Sequence, residues 1–293
     1  MELTGKNVLV VGLARSGMAA IKVLHRLGAV ITLSESKKKE DIKELPELEK
    51  LGVTVVDQSM QVFEGNYALV VKNPGVPFRS PMMQRLAERN IPVITEIELA
   101  YNVAKPQHYV AITGTNGKTT TSTLVYELLA KTFPGKTHLC GNIGIPLCET
   151  VLENGLMEEG GHYIALEISN FQLVNIDRFR PEAAVILNLT PDHVDFMGSL
   201  DAYYKSKTEV YRNMSGSDLF LLNADDPVLA EYTAKYPVNC TVRTFSTDRS
   251  DTYSCVSGGY VCVNGEKVLP LDLIKIIGKH NLQNIIVAVS IAK

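Results

Sequence analysis

The 293 residues are about twice the usual domain size, which points to two domains with separate cores. Hydrophobic residues make up 45% and charged residues 21%, which excludes a disordered chain, a collagen-like fibre and a disulfide-stapled miniprotein. No apolar run approaches the ~18 residues of a membrane span, and 29 Lys and Arg against 32 Asp and Glu, spread along the chain, disfavour nucleic acid as a partner. The start, Met1-Glu2-Leu3-Thr4, has neither a basic segment nor a cleavage site, and the cysteines (Cys140, Cys148, Cys240, Cys255, Cys262) form no Cys-x-x-Cys pair. We therefore expect a cytoplasmic protein with reduced, buried thiols.

Short apolar runs alternate with helical patterns, the mark of an α/β fold with parallel sheets. Strands are predicted at 7–11, 30–34, 53–56, 68–71 and 92–95, with a helix over 16–27 that lines up Met18, Ile21, Leu24 and Leu27. This is a Rossmann-like unit. The polar joint Ala104-Lys105-Pro106-Gln107 separates a first domain, 1–105, from a second, 106–293. There, strands are predicted at 108–113, 163–168, 184–189 and 219–223, with helices after Lys118 and over 201–212. Gly258-Gly259 and Asn264-Gly265 signal hairpins, an antiparallel addition to the second sheet. A last helix is expected to start with Asn281 as its cap and Leu282, Ile285, Ile286 and Val289 on its apolar face. It reaches Lys293 without a terminating Gly or Pro, so it is expected to continue or to pack on something further.

Each domain carries a glycine turn after its first strand. Gly12-Leu13-Ala14-Arg15-Ser16-Gly17 opens a helix whose free N–H groups suit phosphate, and Glu35 lies 18 residues beyond Gly17, near where a ribose-binding acid belongs. The pattern alone is compatible with a nucleotide diphosphate or with a purely structural turn. Thr113-Gly114-Thr115-Asn116-Gly117-Lys118-Thr119-Thr120 is more specific: a variant P-loop in which the glycines form an anion nest, Lys118 serves the outer phosphates and Thr119 serves Mg²⁺. Glu167, an acid inside an apolar strand, is costly to bury without a partner. His193 reads equally as a ligand or a loop histidine, and Lys207 as one more solvated lysine.

The loop Gly-Thr-Asn-Gly-Lys-Thr-Thr resembles the ATP-binding loop of the Mur ligases and their folylpolyglutamate synthetase relatives. Further markers follow in family order: Asn73-Pro74-Gly75-Val76-Pro77, Glu96 to Ala100, Gly141 to Gly144, Leu166 to Leu173, Asp192 to Asp195, Tyr203 to Lys207 and His280-Asn281-x-x-Asn284. The resemblance runs from Lys6 to the end and favours the members that add D-glutamate to UDP-N-acetylmuramoyl-L-alanine in peptidoglycan synthesis. It implies a UDP-substrate-binding domain followed by a P-loop-type ATPase domain. Gly12, Arg15, Ser16, Gly17, Glu35, Ser36, Asn73, Gly75, Asn142, Ser169 and Gln172 are then expected at the UDP substrate. Gly114 to Thr120, Asn281 and Asn284 are expected at ATP.

The resemblance also implies the chemistry: ATP phosphorylates a carboxylate, and the amine of D-glutamate attacks the acyl phosphate. Lys118, Glu167, His193 and Lys207 are the implied catalytic residues. Thr119 and Glu167 are the implied ligands of one Mg²⁺, and His193 and a carbamylated Lys207 those of a second. Family members have a third, amino-acid-binding domain with no counterpart in this chain, which is therefore expected to be a truncated, monomeric binder that forms no amide alone. An L-alanine-adding ligase and a folate relative are the nearest alternatives. An NAD-dependent oxidoreductase and a non-catalytic nucleotide module are alternatives from other classes.

Overall fold

The computed structural model describes every residue except Phe78 and His193. The first stretch runs β1 Asn7–Val11, α1 Arg15–Arg26, β2 Val30–Ser34, α2 Leu45–Lys50, β3 Thr54–Val56, α3 Met60–Phe63, β4 Leu69–Lys72, α4 Pro81–Glu88, β5 Val93–Ile94 and α5 Glu96–Val103. Next come β6 His108–Thr113, α6 Lys118–Thr132, β7 Thr137–Gly141, α7 Leu147–Glu153, β8 Tyr163–Glu167, α8 Asn170–Leu173, β9 Ala183–Ile186, α9 Val194–Met197 and α10 Leu200–Thr208. The chain closes with β10 Gly216–Asn223, α11 Pro227–Lys235, β11 Cys240–Phe245, β12 Ser254–Ser257, β13 Tyr260–Val263, β14 Glu266–Pro270 and α12 Lys279–Ala292. No helix among the described residues is long and apolar enough to cross a membrane.

Two compact units result. Unit 1 comprises Met1–Lys105, Ile145–Gly160 and Asn175–Phe179. Its sheet, in the order β3-β2-β1-β4-β5, is parallel throughout, with the strand order reversing at β1. Leu9, Val11 and Val70 pack with Phe63, Met83 and Leu86 in a core that excludes water. That burial explains why β1 and β4 read as continuous apolar runs.

Two segments that the sequence groups with the second domain pack into unit 1. The α7 helix buries Leu147, Cys148 and Val151 and lies on α1 and α5. Segment 175–179 is tied down by Glu98, whose carboxylate, fully buried on α5, accepts N–H groups from Asp177 (3.0 Å), Arg178 (2.9 Å) and Phe179 (3.0 Å). The Phe179 ring meets Tyr101 edge-on at 5.4 Å. Such associations join residues some 80 positions apart in sequence, which no local pattern announces.

Unit 2 comprises Pro106–Gly144, Gly161–Val174 and Arg180–Lys293. Its sheet runs β14-β13-β12-β11-β10-β9-β6-β8-β7: parallel from β7 across to β12, then antiparallel through the two hairpins. The α6 and α12 helices cover one core, burying Val125, Leu129, Ile285 and Ile286 against Ile112, Ala165 and Val185. The α/β class, the parallel sheets and the antiparallel addition are as expected. Strands β7 and β11 are additions to the predicted set. The first is an edge strand and the second carries Arg243 and a 37% exposed Val242, so neither reads as an apolar run. The final helix begins at Lys279 with Gly278 as its cap, so Asn281 lies inside its first turn and donates from Nδ2 to Ile277 O at 2.7 Å. Cys140, Cys148, Cys255 and Cys262 are buried thiols, while Cys240 is half-buried.

Removing the Glu98 carboxylate strands three backbone N–H donors, of which that of Phe179 is buried. Glu98→Ala is expected to destabilise unit 1 by about 3 kcal/mol, seen as a lower urea midpoint. An unchanged midpoint would mean that Phe179 packing alone holds segment 175–179.

Candidate functional site

In a parallel sheet, ligands gather beyond the carboxyl ends of the strands where the strand order reverses. In unit 1 that place is the end of β1, and the turn Gly12 to Gly17 lies there. Gly17 admits no side chain, since a Cβ would lie 2.2 Å from Gly12 O. Glu35, at the end of the neighbouring β2, shapes the turn: Oε2 accepts from Leu13 N at 2.7 Å, and Oε1 from Ser36 N at 2.7 Å and Lys37 N at 3.2 Å. Burial pushes the Glu35 carboxyl up, but these bonds outweigh it and hold it below the ordinary carboxylate range. Ser36 adds its own hydroxyl to Oε1 at 3.0 Å.

Asn73 joins the turn from β4, donating from Nδ2 to Ser16 Oγ at 2.9 Å and accepting from Gly75 N at 3.0 Å. The structure thus brings Gly12, Ser16, Gly17, Glu35, Ser36, Asn73 and Gly75 together, with Arg15 exposed on the same turn. Asn142, Ser169 and Gln172, expected at the same substrate, belong to unit 2. Ser169 and Gln172 close a capping box on α8, with Ser169 N donating to Gln172 Oε1 at 2.9 Å.

In unit 2 the order reverses at β6, between β9 and β8. The loop Gly114 to Gly117 leads from β6 into α6, and Gly117, at φ +83°, begins the helix with Asn284 Oδ1 2.7 Å from where a Cβ would be. Both neighbouring strand ends hold this loop. From β9, Asn188 O accepts from Thr115 N at 3.1 Å and Asn188 Oδ1 from Asn116 N at 2.9 Å. From β8, whose Glu167 is in register with Ile112, Glu167 Oε2 accepts from Thr119 Oγ1 at 2.9 Å and Oε1 from Asn142 Nδ2 at 2.8 Å. These hard oxygen donors and a loop open to phosphate suit Mg²⁺, which takes one or two protein oxygens and completes its shell with phosphate and water. Among the described residues no three His, Cys, Asp or Glu side chains form a metal cluster.

Two lysines converge on a single carbonyl. Lys118 Nζ donates to Gly114 O at 3.0 Å and Thr115 O at 2.9 Å, and Lys207 Nζ reaches Gly114 O at 2.9 Å. Lys207, far from being solvated, is 1% exposed, with its ammonium 4.8 Å above the Tyr203 ring. Burial first and the charge of Lys118 second pull its pKa down to about 7, against the attraction of Asp192. Burial likewise lowers Lys118, opposed by Glu167 and Asp192. His193 lies outside the described residues.

A cleft of about 350 Å³ runs over Thr115 to Thr120, Asn142 and Glu167. A larger one, about 660 Å³, shares Asn116, Gly117 and Thr120 with it and extends past Asn188, Asp225 and Lys279 to His280, Asn281 and Asn284. Together they offer a polar track for phosphates leading into room for a nucleoside. Sequence reasoning missed Asn188, which pins the loop, and Lys72, buried at the end of β4. The only local signal for Lys72 was a lysine closing an apolar strand.

A Mur ligase middle-domain family model matches residues 112–292, and a MurD-like N-terminal domain of Mur ligases matches residues 6–95. The UDP-N-acetylmuramoylalanine--D-glutamate ligase of Geobacillus sp. (strain WCH70) is 38% identical over 290 residues, covering 98% of this chain and 63% of the relative. The enzyme of that name from Enterococcus hirae is 39% identical over 292 residues, covering 98% and 62%. The chain thus spans a little under two thirds of the length of these curated relatives. Among solved structures, UDP-N-acetylmuramate:L-alanyl-gamma-D-glutamyl-meso-diaminopimelate ligase from Neisseria meningitides superposes with a TM-score of 0.62 at 17% identity, covering 98% of this chain and 93% of that one. This likeness speaks for the fold.

The Gly117 contact is testable without any ligand. Gly117→Ala is expected to destabilise unit 2 by roughly 1–3 kcal/mol, and Asn284→Ala in the same chain should recover part of the loss. Strict additivity of the two melting-temperature changes would remove the clash as the cause.

Proposed function

Because the chain belongs to the Mur ligase family, we propose that it carries the UDP-substrate-binding and ATP-binding parts of an ATP-dependent ligase that joins D-glutamate to UDP-N-acetylmuramoyl-L-alanine in peptidoglycan synthesis. The observation that supports this most is the constellation around Gly114, where Lys118, Lys207, Thr119 and Glu167 face one loop at the switch point of the second sheet. Relatives 38–39% identical along almost the whole chain favour the D-glutamate-adding activity over other ligases.

The chemistry needs cations because the carboxylate to be activated and the γ-phosphate repel each other. Lys118, on leaving its loop carbonyls, is placed to meet the β- and γ-phosphates. Thr119 and Glu167 would hold a magnesium ion, which supplies positive charge against the crowded oxygens. The γ-phosphoryl group passes to the substrate carboxylate. The D-glutamate amine then attacks the acyl carbon, forming the amide and releasing phosphate. In the first step the glycine turn Gly12 to Gly17 anchors the UDP diphosphate, with Arg15, Ser16 and Asn73 beside it.

Lys207 as an ammonium cannot bind a cation. Carbamylated, it becomes an anion suited, with His193 on the strength of the family resemblance, to a second magnesium. Asn142 shares Glu167 with Thr119 and so belongs to this cluster in either reading. Asn284 packs on the loop and Asn281 lines the nucleoside cleft, consistent with adenine there.

UDP, but not NAD, is expected to raise the melting temperature of the chain; a rise with NAD alone would favour an oxidoreductase. Phosphate release by the whole protein should require D-glutamate, and L-alanine or a folate in its place would redirect the assignment. Glu167→Ala should lower that release at least about 100-fold, whereas full activity would leave only a binding module. Native mass measurement in bicarbonate should show one added CO₂ that is lost in Lys207→Ala, and a CO₂ adduct present on both proteins or on neither would count against carbamylation.

A further inference from the structure

Lys72 carries a charge that the reading above does not use. It closes β4 with only 2% of its surface exposed, a burial that lysine seldom reaches unpaired. Among the described residues no carboxylate pairs with it. Its Nζ instead donates to the carbonyls of Val76 at 2.9 Å and Asn73 at 3.1 Å, and more weakly to Pro74 at 3.5 Å. Burial pulls its pKa down to about 8, which still leaves an ammonium at neutral pH.

The loop wrapped around this ammonium is the one that meets the first glycine turn. Lys72 is the register partner of Val11, and Asn73 N donates to Val11 O at 2.9 Å. Neighbouring strands lie about 4.8 Å apart, so the lysine ends one strand away from the start of the turn. Asn73 then reaches Ser16 Oγ at 2.9 Å, tying the loop to the first turn of α1. A cation paired with a carboxylate has its field largely cancelled, whereas one held by neutral carbonyls keeps it. Glu35, the acid on the opposite side of the turn, is occupied by backbone N–H groups of its own.

We infer that Lys72 is a positioning residue for a nucleoside diphosphate: its ammonium orders residues 73–76 against the Gly12 to Gly17 turn and lends that turn an uncancelled positive charge. The inference rests on the reading of this turn as the UDP site. It adds a specificity for the doubly phosphorylated ligand that Arg15, exposed to solvent, would not supply alone.

The test is calorimetric titration of UDP into the wild-type protein, Lys72→Gln and Lys72→Arg at low and high salt, with ligand-free melting temperatures alongside. Gln keeps donors for the loop carbonyls but removes the charge. The expected result is UDP binding about ten-fold weaker in Lys72→Gln at low salt, a deficit that shrinks as salt rises, with Lys72→Arg within about three-fold of wild type. Equal UDP affinity in Lys72→Gln and wild type, or a deficit independent of salt, overturns the charge role while leaving the UDP site intact. Wild-type protein that does not bind UDP at all overturns the reading of the turn, and this inference with it. Should Lys72→Gln fail to fold, ¹⁵N-lysine spectra decide. The ammonium resonance that disappears in Lys72→Arg is expected to shift with UDP and not with uridine, and a resonance unmoved by UDP overturns the proposal.

Discussion

An ammonium drawn from water onto backbone carbonyls is the interaction that both glycine turns share. In unit 2, Lys118 and Lys207 share the Gly114 carbonyl at 3.0 and 2.9 Å, and in unit 1 Lys72 gathers the carbonyls of residues 73, 74 and 76. Neutral acceptors satisfy the hydrogen bonds but leave the Lys72 charge standing, whereas Asp192 and Glu167 partly offset the charges in unit 2. Two ammonium groups meeting on one oxygen repel each other, and that repulsion adds to burial in lowering the Lys207 pKa. The depressed lysine pKa values, about 7 and about 8, are the imprint of that arrangement.

The sheets explain how such costly groups come to stand where they do. Parallel strands point their carboxyl ends to one side, and at β1 and β6 the chain departs in both directions, leaving a gap that helices do not cover. Register then does the placing. Glu167 pairs with Ile112 and so lies alongside the start of the loop, and Lys72 pairs with Val11 just ahead of Gly12. Around these points the cores of the two units are apolar, and Lys72 and Glu167 are buried polar exceptions at strand ends. Glu98 is an exception of another kind: a buried carboxylate whose three backbone donors anchor a returning segment rather than a ligand.

Much of this was legible along the chain. The runs that became β1, β4, β6 and β8 are largely apolar because both faces are covered, and the glycine turns directly follow β1 and β6. Hairpins β12 to β14 showed through Gly258-Gly259 and Asn264-Gly265, whose backbone conformations few other residues adopt. Strand β11 was hidden because its exposed positions are the adjacent Val242 and Arg243, which leave neither an alternation nor an apolar run. Lys207 was hidden for the opposite reason: in the sequence of α10 it looks like its exposed neighbour Lys205, and only packing on Tyr203 and Gly114 sets it apart.

The sequence by itself determined the local matters: which segments are strands or helices, where glycine permits a turn, and which residue types a phosphate loop requires. These follow from periodicity and backbone sterics, which act over a few residues. Only the tertiary structure decided that α7 and residues 175–179 pack with unit 1, that Asn188 pins the second loop, and that Lys72 and Lys207 lose their water. Those outcomes depend on which strand ends lie side by side, and that is settled by burial across the whole sheet.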